Sequence, residues 1–305
     1  MLLRLTLALI LSVPALSSAD IISDVRSADA RRDFRTADQL IREYRALRGV
    51  SPEMLEAVSW IARDALTARQ YDKALSAARE THQLALKQMA ATPLDSDAHL
   101  ATALGAAIEV EAQVMAARGE RAAAVEYLRG ELKRYRTTSI ATRIQKNINL
   151  LSLEGKAAPE LAETTYLGPK PAPLAALKGK PVVLFFWAHW CPDCKIQGPI
   201  LAQLQAEFKE RGLTLVAPTQ QYGYIGGGAE ASPQAELGYI DQVRRMYYSS
   251  LAEVPVPVSS QNFSAYGCST TPTLVLINRA GRVAYYHPGR MTYEELRPRI
   301  ADLAR

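Results

Sequence analysis

The chain has 305 residues, of which 48% are hydrophobic and 22% are charged, and its formal net charge is +5. This length leaves room for two domains, each with its own core. Three cysteines are too few for a scaffold held together by disulfides. Because lysine and arginine are dispersed among acidic residues, we expect an ordinary solvated surface and no nucleic-acid partner, while a weak attraction to anionic membranes stays open.

Residues 1–19 have the composition of a secretory signal peptide. A short basic start leads into the mostly apolar segment 5–16, and Ser17-Ser18-Ala19 offers small residues for cleavage before Asp20. The alternative, a membrane anchor, is disfavoured because the apolar core is shorter than the ~20 residues that span a bilayer. No other apolar run approaches that length. We therefore expect a soluble mature protein that is exported to the periplasm or another extracytoplasmic space.

Residues 20–154 are predicted to form an all-helical domain. Alanine, leucine, arginine and glutamate dominate, and Ser51-Pro52 predicts a helix start with serine as N-cap and proline at the first helical position. A second helix is expected from Tyr71. A similar pair of helices is expected over 104–117 and 122–135, so the pattern indicates helical hairpins.

Two short segments, Tyr71–Leu75 and Gly119–Val125, resemble the turn and second-helix opening of tetratricopeptide repeats. They lie farther apart than the ~34 residues of that family, so we expect hairpins with longer helices. The resemblance implies a concave face for a protein partner. The alternative is that the hairpins only pack on the second domain or on a second subunit.

Residues 155–305 alternate between strand and helix patterns after a linker rich in glycine and proline. This order predicts an α/β sandwich around a mixed sheet. The expected elements are a strand over 181–188, a helix over 191–211, a strand over 213–218, a helix over 237–249, strands over 273–277 and 282–286, and a helix over 292–304.

The segment Trp190-Cys191-Pro192-Asp193-Cys194 places two thiols one turn apart, where the first strand leads into a helix. Unpaired N–H groups and the dipole at a helix start favour a thiolate on the first cysteine, which can form a mixed disulfide with a partner. The second thiol can then attack the first sulfur, release the partner's thiolate and close a disulfide within the pair. This arrangement predicts thiol–disulfide exchange. A zinc site is the alternative, but its candidate extra ligands His189, His287 and Cys268 have no second paired spacing. We therefore expect neither a metal nor another cofactor.

The string from Leu177 to Lys195, LKGKPVVLFFWAHWCPDCK, resembles the thioredoxin superfamily, and in particular the exported thiol–disulfide oxidoreductases of the TlpA and ResA type. The segments Tyr266-Gly267 and Thr271-Pro272-Thr273 and the following hairpin support the resemblance. It implies a thioredoxin fold, with a mixed sheet sandwiched by helices, over residues 155–305, preceded by the all-α domain of helical hairpins.

The resemblance also implies a role for each matched residue. Cys191 would be the exposed nucleophile and Cys194 the buried resolving thiol. Pro272 would be the cis-proline that faces the pair, and the backbone of Thr271 would bind an extended substrate segment as a short added strand. Trp190 would shield the disulfide and contact the substrate. For Pro272 the alternative is an ordinary proline at the start of a strand.

Three departures from the family are expected to tune the site. The family's buried aspartate is replaced by Phe185, and a glutamate of the TlpA-type reductases is replaced by Gln197. Proton transfer would then use water, Asp193 or His189. Pro192 fits the first helical position, but the negative charge of Asp193 opposes ionisation of the nucleophile. A less acidic thiol makes a less oxidising couple, so a reductase is favoured over an oxidase.

Several features keep two interpretations. His189 would either stabilise the thiolate as an imidazolium or be a solvent-facing residue at the strand end. Cys268 would be a small buried hydrophobe or a third exchange partner. The segment 220–228, with tyrosines beyond it at 239, 247 and 248, would shape the substrate groove or be a surface insertion.

The predicted function is therefore an exported disulfide reductase acting on protein substrates that bear disulfides or thiols. The family implies a membrane-bound thiol as electron donor. The alternatives are a disulfide oxidase or isomerase at the same site, or a helical scaffold with an incidental redox centre. A peroxidase is disfavoured because Ala188 stands where that chemistry requires threonine.

Overall fold

The computed structural model describes residues 20–305, so the predicted signal peptide lies outside the described residues. The chain divides into two compact units between Val110 and Glu111. This division comes earlier than the predicted domain border after residue 154. The predicted border marks instead the change from helical to α/β structure, because the last helix before the first strand ends at Ser152.

The first part of the described chain is helical, as predicted. Its helices are α1 (Asp20–Ala30), α2 (Phe34–Arg48), α3 (Pro52–Thr67), α4 (Tyr71–Met89), α5 (Ala98–Ala117), α6 (Arg121–Tyr135) and α7 (Ala141–Ser152). Helix α3 begins as expected, since the Ser51 hydroxyl accepts a hydrogen bond from Met54 N at 3.2 Å. Helices α3 and α4 pack together as a hairpin, and each contains buried alanines, such as Ala62 and Ala78.

Helix α5 corrects one expectation from the sequence. Of the helices in the described residues, it is the one long and apolar enough to cross a membrane by length and composition. The sequence analysis missed it because alanine, the most frequent residue of this helix, is only weakly apolar. The observation is weak evidence for a span, because 61% of its apolar window is buried within the protein and core helices pass the same test.

The remaining chain forms an α/β structure around a four-stranded sheet. Its elements are β1 (Tyr166–Leu167), β2 (Val182–Phe186), α8 (Pro192–Glu207), β3 (Thr214–Val216), α9 (Pro233–Tyr247), β4 (Val256–Pro257), α10 (Ser260–Tyr266), β5 (Thr273–Ile277), β6 (Val283–Pro288) and α11 (Tyr293–Leu303). The strand order is β3-β2-β5-β6, with β2 parallel to β3 and antiparallel to β5. The predicted mixed sheet is confirmed.

Both faces of this sheet are covered, because alternate side chains of β2 enter different cores. Val183 and Phe185 pack with residues of α8, α9 and α11. Leu184 and Phe186 pack on the opposite side with residues that include Phe263 of α10. A strand buried on both faces is expected to be a continuous apolar run, and all five residues of β2 are buried.

Helices α6 and α7 belong to the same compact unit as the sheet. Helix α7 packs against α10 and β6. At this contact Gly267 adopts a φ of +61° after α10, and the backbone of Lys146 leaves no room there for a Cβ atom. This close packing is why the compact unit begins before the change from helical to α/β structure.

Three details differ from the predicted elements. Strands β1 and β4 pair as a separate two-stranded antiparallel sheet that was not predicted, and neither was helix α10. Helix α9 begins at Pro233, with Ser232 as N-cap, rather than at Leu237. The missed first turn of α9 contains Glu236, which proves important at the site below.

Candidate active site

The two cysteines lie where β2 leads into α8. Cys191 is the N-cap of α8, Pro192 occupies the first helical position, and the Cys191 sulfur accepts a hydrogen bond from Cys194 N at 3.1 Å. The two cysteines form a disulfide with their Cα atoms 5.3 Å apart. The sequence therefore brings both sulfurs to the start of the helix, where N–H groups favour negative charge.

The predicted exposure of Cys191 is wrong for this disulfide-bonded state. Cys191 is only 2% exposed, and Cys194 is fully buried. The Cys191 sulfur lies 3.4 Å from the carbonyl oxygen of Thr271, so the loop before β5 packs directly onto the outer sulfur. The Thr271–Pro272 peptide bond is cis, the isomer that the family resemblance implies.

The side chains that flank the disulfide are unequally exposed. Trp190 is 46% exposed and its ring meets the ring of Tyr222 edge-on, with centroids 5.6 Å apart. Pro192 is also exposed. Trp190 and Pro192 therefore give an accessible apolar surface beside the cysteines, which suits contact with a polypeptide.

His189 is not the solvent-facing residue of one interpretation, because it is only 2% exposed. Its ring meets the rings of Tyr222, Tyr224 and Tyr239 edge-on, and its Nε2 lies 3.3 Å from a carboxylate oxygen of Glu236. Burial lowers the pKa of His189, an effect that the Glu236 carboxylate partly opposes. A neutral imidazole is therefore favoured at neutral pH, which weakens the hypothesis of an imidazolium that stabilises the nucleophile.

Glu236 is a buried residue of the site that sequence reasoning missed. Its two carboxylate oxygens accept hydrogen bonds from Tyr222 N at 2.5 Å and Gly223 N at 2.9 Å. The available signal was Ser232-Pro233, an N-cap followed by proline, which places Glu236 in the first turn of α9. Only the fold shows that this carboxylate lies beside His189.

Gln197 and Asp193 occupy different surroundings on α8. Gln197 is buried, and its Oε1 accepts a hydrogen bond from Met291 N at 2.8 Å, while its Nε2 has no hydrogen-bond partner among the described residues. Asp193 is exposed and its carboxylate lies 3.7 Å from the guanidinium of Arg290. Arg290 was not singled out from the sequence, since it lies far from Asp193 along the chain.

Behind the disulfide the protein is apolar where the family has a buried aspartate. Phe185 meets the ring of Tyr248 edge-on at a centroid distance of 6.0 Å, and Trp187 meets the same ring at 4.9 Å. Tyr248 also lies against Gly198 of α8, where a Cβ atom would collide with its ring. An aromatic core thus fills this position, and Phe185 has no group that can carry a proton.

Cys268 is a buried free cysteine. Burial raises the pKa of its thiol well above the ordinary value, with a smaller opposing effect from Thr273. A thiol that resists ionisation is a poor nucleophile, which favours the interpretation of a small buried hydrophobe. Within residues 20–305, no group of three or more histidine, cysteine or acidic side chains is arranged to hold a metal ion.

Comparison with known proteins places this geometry in a family. The Redoxin family model matches residues 153–302. The thiol–disulfide oxidoreductase ResA of Bacillus thuringiensis (strain Al Hakam) is 30% identical over 142 residues, which cover 47% of this chain and 73% of that protein. The chain belongs to the thioredoxin superfamily, as a member of the TlpA/ResA type. It is therefore a thiol–disulfide oxidoreductase with the Cys191–Cys194 pair as its redox centre.

The chain is similar to two further proteins. The thioredoxin-like protein YneN of Bacillus subtilis (strain 168) is 29% identical over 148 residues, covering 48% of this chain and 78% of that protein. The crystal structure of a protein from Chlorobium tepidum, described as thiol:disulfide interchange protein DsbE, is 27% identical and covers 50% of this chain and 98% of that chain, with a TM-score of 0.40.

Proposed function

We propose that this oxidoreductase is an exported disulfide reductase for protein substrates. In the reduced enzyme, the Cys191 thiolate would attack one sulfur of a substrate disulfide and release the other as a thiolate, forming a mixed disulfide. Cys194 would then attack the Cys191 sulfur and release the second substrate thiol. Two electrons pass from the enzyme pair to the substrate, and the Cys191–Cys194 disulfide remains.

The order of attack follows from the surroundings of the two sulfurs. Cys191 is the N-cap of α8, and its sulfur accepts a hydrogen bond from the Cys194 N–H group, which favours the thiolate form of Cys191. Cys194 is completely buried. Cys191 lies beside Trp190 and the carbonyl of Thr271, where an extended substrate segment would bind. Because Cys191 is covered in the oxidised form, we expect this loop to yield slightly when a substrate binds.

The proton of Cys194 has no obvious acceptor in this site. Phe185 and Gln197 occupy the positions of the family's two acids, and neither side chain titrates. The His189 ring faces three tyrosines and Glu236, and the Asp193 carboxylate lies beside Arg290. We therefore expect water to take up the proton, which makes the resolving step slow at acidic pH.

The observation that favours reduction over oxidation is the acidic residue next to the nucleophile. Asp193 lies in the first turn of α8, where its charge opposes a thiolate on Cys191 and so stabilises the disulfide. Arg290 offsets part of this charge. Since both side chains are exposed, the effect is modest and the reduction potential must be measured.

The reduction potential of the Cys191–Cys194 pair is the decisive experiment. A value of about −270 mV, as in thioredoxin, would support a reductase, and about −120 mV would indicate an oxidase. Catalysis is tested by insulin reduction with dithiothreitol, in which Cys191→Ser should abolish turnover. If a protein with both cysteines changed to serine restores full function to a deletion strain, the helical scaffold with an incidental redox centre is the better description.

Export and partners are parts of the same proposal. The signal-peptide pattern of residues 1–19 supports an extracytoplasmic location, where a membrane-bound thiol protein would re-reduce the pair. Mass spectrometry of the mature protein should find Asp20 as its first residue. The helical hairpins would bind a protein partner. Crosslinking in intact cells tests that role, and the crosslinked partner should be lost when the hairpins are removed from the full chain.

A further inference from the structure

An aromatic surface beside the disulfide is held in place from inside the protein. Tyr222, which is half-buried, contacts Trp190, the residue that directly precedes the nucleophile. Trp190 and Tyr222 are called the aromatic wall below. Because Trp190 adjoins Cys191 in the chain, a substrate side chain next to the attacked sulfur would meet this wall.

The position of Tyr222 is set by Glu236. Both carboxylate oxygens of this buried residue accept hydrogen bonds from consecutive backbone N–H groups, those of Tyr222 and Gly223. Burying a carboxylate is costly unless it is hydrogen-bonded, so the loop must stay where it satisfies this group. The loop also closes on itself, since Ala231 N donates to Gly223 O at 3.0 Å.

His189 completes the support of the wall. Its buried ring lies among the rings of Tyr222, Tyr224 and Tyr239, and its Nε2 faces the Glu236 carboxylate. His189 is two residues before Cys191, so the same cluster joins the segment that carries the nucleophile to the tyrosine loop. Edge-on ring contacts of this kind each contribute about 0.5–1.5 kcal/mol beyond burial in general, a range equivalent to roughly two- to tenfold in an equilibrium constant.

We propose that the aromatic wall is a specificity determinant, positioned by Glu236 and His189, that favours substrates with an aromatic side chain next to the disulfide. This inference rests on the proposed disulfide exchange. Tyr222 and Trp190 would contact the substrate, whereas Glu236 and His189 are positioning residues that act through Tyr222. The wall offers ring faces and edges and carries no charge of its own, so an aromatic side chain of the substrate can stack on it or meet it edge-on.

The test uses the mature full chain, reduced beforehand, and two synthetic peptides with an intramolecular disulfide. The peptides differ at one position next to a cysteine, phenylalanine in one and glycine in the other, and oxidised glutathione serves as a small disulfide. We expect the wild type to reduce the phenylalanine peptide faster. Tyr222→Ala should lower the phenylalanine-over-glycine ratio of kcat/KM by about two- to tenfold, through a higher KM for the phenylalanine peptide.

Two conservative variants and one control complete the experiment. Tyr222→Phe keeps the ring and should retain the preference. Glu236→Gln replaces one acceptor oxygen by an amide group that cannot accept from the loop, and should lower the preference as Tyr222→Ala does. Tyr247→Ala removes an exposed aromatic ring that contacts Lys195 instead of Trp190, and should leave the preference unchanged.

Each result decides between the two proposals. If the wild type reduces all three disulfides without preferring phenylalanine, the specificity inference is wrong and the reductase proposal stands. If Tyr222→Ala slows all three substrates equally, Tyr222 is merely structural and the inference is again wrong. If the wild type reduces none of them, the reductase proposal fails first. Should Glu236→Gln not fold, the comparison of Tyr222→Ala with Tyr222→Phe still gives the answer.

Discussion

The charged pair Asp193 and Arg290 at the start of α8 is expected to affect the reduction potential of the disulfide. Asp193 lies in the first turn of α8, whose N-cap is Cys191, and its carboxylate is 3.7 Å from the guanidinium of Arg290. Both charged side chains are about half exposed, so solvent screens them and a surface-type energy applies. Asp193→Asn should stabilise the Cys191 thiolate, and with it the reduced enzyme, by about 0.2–1 kcal/mol.

That energy converts to a measurable change in redox potential. For a two-electron couple about 30 mV corresponds to 1.4 kcal/mol, so Asp193→Asn should raise the reduction potential by about 5–20 mV. Arg290→Gln leaves the aspartate charge without its partner and should lower the potential by a similar or smaller amount. The double variant should fall between the two single variants, because the two changes shift the potential in opposite directions.

The assay is equilibration of each variant with glutathione redox buffers, followed by alkylation and mass spectrometry of Cys191 and Cys194. The rate of alkylation of the reduced proteins at neutral pH gives an independent measure, and it should rise in Asp193→Asn. The electrostatic reasoning is refuted if Asp193→Asn lowers the potential, or if both single variants move it in the same direction. Raising the salt concentration should shrink all of these differences.

Three further predictions concern stability and proton transfer. Gln197→Glu supplies a buried carboxyl one turn after the resolving cysteine, so insulin reduction should become faster with a new pH dependence between about pH 5 and 8; an unchanged pH profile would contradict this. Burial, aided by the neighbouring Asp64, raises the pKa of Asp29 to about 7, so this carboxyl keeps a proton in the folded state that the unfolded chain releases. Its contribution to the free energy of unfolding is therefore complete below about pH 4 and is lost as the pH rises toward 7. Asp29→Asn should therefore shrink the fall in unfolding free energy between pH 5 and 8 by about 1–2 kcal/mol in urea titrations, after allowance for solvent screening, whereas an equal fall in both proteins would refute it. Gly267→Ala should lower the free energy of unfolding by about 2–4 kcal/mol in the same assay, because its φ is positive and the backbone of Lys146 would collide with the new Cβ atom. The control Gly281→Ala also has a positive φ but meets only a side chain, so it should cost about 1 kcal/mol. Equal losses in the two variants would show that the backbone contact is unimportant.

Local patterns were enough to predict the framework of the site. The apolar run before Trp190 predicted a buried strand, and Cys191-Pro192 predicted a helix start, because both signals act between residues close in the chain. Thr271-Pro272 was placed against the pair through the family resemblance, and the structure has this bond in the cis form. A mixed sheet between helices was predicted from the alternation of strand and helix patterns and from the same resemblance, whereas the strand order β3-β2-β5-β6 was not predicted.

The interior of the site depended on contacts that the sequence does not display. The ring of His189 and the carboxylate of Glu236 meet because α9 packs beside the end of β2, and whether a polar side chain is buried there depends on the whole fold. The pairing of Asp193 with Arg290 likewise joins the start of α8 to the loop after β6. Neither pair has a spacing along the chain that indicates contact.

The sequence alone determined that two thiols stand at a helix start behind a buried strand, since chain geometry and helix capping fix that arrangement within a few residues. Tertiary structure decided how those thiols are surrounded. It covered Cys191 with the loop at Thr271, placed a buried histidine among tyrosines, and put an arginine beside Asp193. Burial and electrostatic environment come from elements distant in the chain, so they are set only when those elements pack together.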